Sequence, residues 1–195
     1  MAVVGHGPVP LGVLARAATV VVPLWVVYTA VLHLVMPFGT PEFTAATLTL
    51  AIVAIVVVPF QSAGEEYLFR GLLFRAVGAR FRRPGVSLAV ATSVTALAFG
   101  AIHGSLDAWA LGYYVVAGVC LALVTHRTGG LESAVLVHAV NNTVLMVSVI
   151  LADQLDDLAV VTGPVLVVPM IVMVLATLGL WKLAPGREPA QAVAP

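Results

Sequence analysis

The chain has 195 residues, 61% of them hydrophobic and only 9% charged, with a formal net charge of zero. Ordinary soluble domains carry roughly 25% charged residues, and a mean hydropathy of +1.09 excludes that class here. The balanced charge also leaves no basic footprint for nucleic acid.

Apolar runs of about 20 residues, enough to cross a hydrocarbon core of roughly 30 Å as helix, recur along the whole length. Residues 1–195 therefore read as a single integral membrane domain. At the start, MAVVGHGPVPLG has no Lys or Arg before its apolar run and no small-residue cleavage site after it, which argues against a removable signal peptide. Polar or turn-forming breaks at 36–42, 79–85, 103–108, 126–130 and 152–157 then leave about six spans. They lie near 12–36, 44–79, 86–103, 108–125, 131–151 and 159–182, with a Pro/Ala/Gly tail at 184–195. The predicted fold is all-α, a polytopic transmembrane helical bundle.

The second segment would measure about 54 Å as one straight helix, so it must bend, tilt or break. Pro59 and Gly64 in VPFQSAG are the residues expected to kink it. A seventh span starting there would put Arg80, Arg82 and Arg83 opposite the other basic loops, so one long kinked helix is the preferred reading. Connections alternate in charge: Arg80, Arg82 and Arg83, then Arg127, then Lys182 and Arg187 on one side, and only Glu42, Asp107, Asp153, Asp156 and Asp157 on the other. The positive-inside bias places both termini and the arginine loops in the cytoplasm of a multi-pass cell-membrane protein. Trp109 and Trp181 read as interfacial anchors, Trp25 and Tyr28 as packing or lipid-facing residues. Cys120 has no partner cysteine and carries no redox or metal information.

Within this apolar background, SAGEEYLFRGLLFRA (62–76) holds Glu65, Glu66, Arg70 and Arg75. Residues four apart share a helix face, so Glu66 and Arg70 can pair while Glu65 faces elsewhere. A carboxylate in an apolar span without a helical partner is a candidate general base. Arg75 and the arginines after it suit the membrane boundary, where long side chains reach water. Ionisable groups deeper in a span are functional candidates by default. His103 in FGAIHG and the pair His138 and Asn142 in HAVNN are the further polar residues of the spans. Singly, such residues are more often packing or interhelical glue; His6, His33 and His126 are read that way or as loop residues.

Three motifs in order, EEYLFRG as EExxxR (Glu65, Glu66, Arg70), FGAIH as FxxxH (Phe99, His103) and HAVNN as HxxxN (His138, Asn142), resemble the CPBP family. These are membrane proteins related to the type II CAAX prenyl endopeptidase and to bacteriocin-processing and immunity proteins, the ABI group. The similarity covers a core of about 45–150. It implies a glutamate-dependent intramembrane endopeptidase without a cofactor, acting on a membrane-associated or lipidated peptide or protein in contact with membrane lipid. By position, Glu65 and His103 would activate water, Glu66 and Arg70 would support them, and His138 with Asn142 would form the oxyanion hole.

Other chemistries remain as alternatives. Glu65, His103 and His138 could supply three ligands to zinc in an intramembrane metalloprotease, although HExxH is absent. No GxSxG accompanies Ser105, and the four aspartates all fall in loops, which disfavours serine and aspartyl mechanisms. A transporter or a non-catalytic immunity or scaffold protein would also keep polar groups in its spans.

Overall fold

The computed structural model describes residues 11–35, 40–155 and 162–184. Part of the first expected break (36–39), His6, Asp156, Asp157, Arg187 and the tail from 185 onward lie outside the described residues. The elements are α1 (Leu11–Val35), α2 (Ala45–Glu66), a π-helical segment (Tyr67–Leu73), α3 (Phe74–Gly78), α4 (Pro84–Ile102), α5 (Ala108–Thr128), α6 (Glu132–Leu151), a 3-10 turn (Pro164–Leu166) and α7 (Val167–Leu183). No strand occurs among the described residues, and six helical stretches are long and apolar enough to cross a membrane. The expected all-α polytopic bundle is the observed fold.

Local sequence accounts for the ends of these helices. Thr44 caps α2 in a reciprocal box with Thr47, whose hydroxyl also donates to the Glu42 carbonyl. Pro84 opens α4 at a position where its missing N–H costs nothing. The Asp107 carboxylate accepts from the Ala110 amide at 2.8 Å at the head of α5. Gly129 ends α5 at φ 81, a left-handed conformation that glycine adopts without a Cβ penalty. Arg127 closes α7, donating from Nε to the Trp181 carbonyl at 3.1 Å and from Nη2 to the Ala184 carbonyl at 3.0 Å.

The long second stretch is helical from Ala45 to Gly78. It stays α-helical across Pro59 and Gly64, and its irregularity follows immediately, in the π segment, where the Phe74 amide bonds the Phe69 carbonyl five residues back. A π segment inserts a residue without ending the helix, so the winding changes inside the charged motif while the helix continues.

α2 runs antiparallel to α6. Ala51 and Ala54 cluster with Ile150 at one end, Glu66 meets His138 midway, and Gly71 abuts Leu131 at the other. From that register, residues 72–78 continue past the start of α6 and carry the beginning of α4 with them. α5 packs against α4, α6 and α7, while α1 packs on α6 and α7. Trp25, Tyr28, Phe99, Leu121, Val137 and Met173 are buried in the common core, so Trp25 and Tyr28 are packing residues. Ile52, Val56, Phe60 and Leu72 face outward as an apolar surface suited to lipid.

Candidate active site

Glu66 and Arg70 are wholly buried, and Arg70 Nη1 donates to Glu66 Oε1 at 2.8 Å. The second arm, Nη2, donates to the Gly118 carbonyl of α5 at 3.0 Å. Gly118 also lets α5 lie close against α4: a Cβ there would stand 2.8 Å from the Ala96 Cα, a backbone atom that cannot swing away. The guanidinium lies 4.6 Å from the Phe99 ring centroid, on the π face that attracts cations. Phe99 also meets Phe69, His103 and His138 edge-on at 5.3, 4.8 and 5.6 Å. The aromatic of the second motif thus packs against the key polar side chains of the first and third.

His138 Nδ1 lies 2.8 Å from Glu66 Oε1 and its Nε2 lies 3.0 Å from Asn142 Nδ2. An ionised carboxylate can only accept, so Nδ1 carries the proton and Nε2 takes a hydrogen bond from the Asn142 amide. Glu65 Oε2 stands 3.7 Å from the same Nε2, near enough for electrostatic interaction and too far for a hydrogen bond. This oxygen is buried without a hydrogen-bond partner. The other oxygen, Oε1, accepts from Gln61 Nε2, so Glu65 does have a partner on its own helix face, contrary to the sequence expectation. Both glutamates therefore reach His138, although they lie about 100° apart around the helix.

His103 sits just beyond the end of α4. Its Nδ1 is 2.7 Å from the Phe99 carbonyl, which can only accept, so Nδ1 carries a proton, and no hydrogen bond to Nε2 occurs among the described residues. The ring stacks on Tyr114 at 3.8 Å. His103, His138, Asn142, Asn141 and Tyr113 line one cavity of about 20 Å³, room for roughly a single water. No hydrogen bond or ion pair joins His103 to Glu65; they approach the site from its α4–α5 and α2 sides.

Among the described residues no three His, Cys, Asp or Glu side chains form a group that could hold a metal ion. Glu65, His103 and His138 do not form such a group. Asp107 and Asp153 lie in connections.

Several site residues had no place in the three motifs. Gln61 was legible as the residue four before Glu65, and Asn141 adjoins Asn142. Tyr113, Tyr114 and Gly118 carry no local spacing signal; only the α4–α5–α6 packing brings them in.

The fold and this cluster define a multi-pass membrane protein with carboxylates, an arginine and a histidine joined inside its spans. Residues 44–144, just over half of the chain, match the family described as type II CAAX prenyl endopeptidase Rce1-like. The chain belongs to that family, whose broad class is membrane protease. A Bacillus subtilis (strain 168) protein described as uncharacterized protein YyaK is 30% identical over 115 residues, 55% of this chain. The match spans 37% of that relative's own length. No solved structure matches the chain.

Proposed function

We propose that the protein is an intramembrane endopeptidase that hydrolyses a peptide bond of a membrane-associated or lipidated protein or peptide. The observation that carries this reading is the buried, unpartnered Oε2 of Glu65, 3.7 Å from His138 Nε2, together with His103 Nε2 at the cavity that His138 and Asn142 also line. Glu65 takes a proton from water as the water oxygen bonds the scissile carbonyl carbon, and His103 Nε2 orients that water by accepting its other hydrogen. The carbonyl oxygen becomes an oxyanion and accepts the second N–H of Asn142. As the C–N bond breaks, the proton on Glu65 passes to the leaving nitrogen and the carboxylate is restored.

Glu66 and Arg70 hold His138, which in turn holds Asn142. In this scheme resting His138 presents no N–H to the oxyanion, so its part in the oxyanion hole is to aim the Asn142 amide. No cofactor is needed for the proton and electron balance of these steps. The arginines and Lys182 at one end of the bundle, joined by Arg16 near the start of α1, support cytoplasmic termini in the cell membrane.

The test is cleavage of quenched fluorescent peptides, prenylated and unprenylated, by the purified chain in lipid or detergent. Wild type should cleave, and Glu65→Gln should lose at least about 100-fold in rate, the smaller end of general-base effects. Equal rates in the two would end this reading, and ion flux abolished by Glu65→Gln without cleavage by either would replace it with transport.

A further inference from the structure

The hydrogen bonds leaving His138 have one self-consistent direction. Because Nε2 accepts, Asn142 turns its Nδ2 toward the ring, which leaves its Oδ1 to accept from Asn141 Nδ2 at 3.1 Å. The remaining hydrogen of Asn141 Nδ2 goes to the Tyr113 hydroxyl at 2.7 Å. A phenolic oxygen that accepts this bond still has its own proton to give, and no acceptor for that proton is found among the described residues. Tyr113 and both asparagines line the cavity that the two histidines line.

We infer that Tyr113 is a second hydrogen-bond donor to the oxyanion, and that Asn141 is the positioning residue that keeps its proton directed away from α6 and available to substrate. The inference rests on the endopeptidase reading. Without Tyr113 the site has one evident donor, the free Asn142 N–H; with it, donors from α5 and α6 bracket the cavity. Tyrosine hydroxyls serve this role where charge develops on an acyl oxygen. No proton leaves Tyr113: its O–H bond to the oxyanion forms as negative charge appears and lapses when the carbonyl is regenerated. The plainer role for a Tyr–Asn contact between two membrane helices is glue, and the two roles differ in what they do to turnover.

The experiment uses the full chain in detergent micelles, with a quenched peptide ending in a prenylated Cys-a-a-X sequence, its unprenylated counterpart, and a peptide aldehyde whose hydrate mimics the tetrahedral intermediate. Tyr113→Phe, which removes only the hydroxyl, should lower kcat about 100- to 1000-fold, leave KM within about threefold and weaken aldehyde binding by at least tenfold. Asn141→Asp offers only acceptors, so it should turn the Tyr113 proton away from the cavity. Its loss should not add to that of Tyr113→Phe in the double variant, as expected of residues acting as one unit.

Unchanged kcat in Tyr113→Phe while Glu65→Gln is inactive would overturn this inference and leave the endopeptidase reading standing. Wild-type activity in Glu65→Gln, or no cleavage by wild type, would overturn both. A lower melting temperature with unchanged aldehyde binding would assign Tyr113 to glue and likewise overturn the inference.

Discussion

His138 and His103 line the same cavity in opposite states of engagement. His138 is buried on α6 with a carboxylate on one nitrogen and an amide on the other. His103 is half-buried beyond the end of α4, one nitrogen tied to its own helix and the other free. An imidazole with both nitrogens occupied orients its neighbours, whereas one with a free lone pair can meet a water. Two histidines that look equivalent in a motif thus acquire different work from what surrounds them.

The contrast breaks most severely at the group that fixes the tautomer of His138. Arg70→Ala would leave the buried Glu66 carboxylate without its guanidinium partner, and removing one partner of a buried ion pair costs about 3–5 kcal/mol. Arg75, exposed on α3, should change stability by less than about 0.5 kcal/mol as alanine. Unfolding in micelles, followed by tryptophan fluorescence, should show this difference. Equal losses would mean that Glu66 does not depend on Arg70.

The histidines themselves should then separate by readout. His103→Gln is expected to lower cleavage by about 100-fold or more while shifting stability little. His138→Phe removes the partner of both Glu66 and Asn142, and leaving such groups unpaired costs about 1–3 kcal/mol, so activity and stability should fall together. If His103→Gln destabilises as much as His138→Phe, the division between an orienting and a reacting imidazole is lost.

An effect on stability of similar size, without loss of a reacting group, comes from the support behind His138. Gly118→Ala would force its Cβ against the Ala96 backbone, separating α4 from α5 and moving the carbonyl that holds Arg70. Overpacking of this kind costs about 1–3 kcal/mol. Gly12→Ala, where a Cβ meets nothing within 4 Å, is the matched control in the same unfolding measurement.

Much of this arrangement is legible in the sequence alone. Six apolar runs and their breaks gave the spans, because chain length and hydropathy alone decide what can cross a bilayer. The i,i+4 spacing of Glu66 with Arg70 and of His138 with Asn142 gave two pairs that are hydrogen-bonded in the structure. The contacts that join these pairs were not legible, since Glu66 and His138 are 72 residues apart and meet only through the α2–α6 register. The π segment is not legible in the sequence, because proline and glycine are visible breakers, whereas a π insertion in YLFRGLL has no compositional mark. Tyr113 resembles any other aromatic of a span until the fold sets Asn141 beside it.

Gln61 gives the smallest expected effect and a direct test of how far the enclosed character of His138 extends along α2. Its Nε2 donates to Glu65 Oε1, but Gln61 is itself exposed. Its side chain packs against no buried core, so Gln61→Leu should cost less than about 0.5 kcal/mol in stability. If a replacement water reaches Oε1, the carboxylate keeps its orientation and cleavage should fall by no more than a few-fold. A loss approaching that of Glu65→Gln would mean that water cannot take the place of the amide. Glu65 would then belong, like His138, to the closed hydrogen-bonded part of the site, and His103 alone would face the side where water enters.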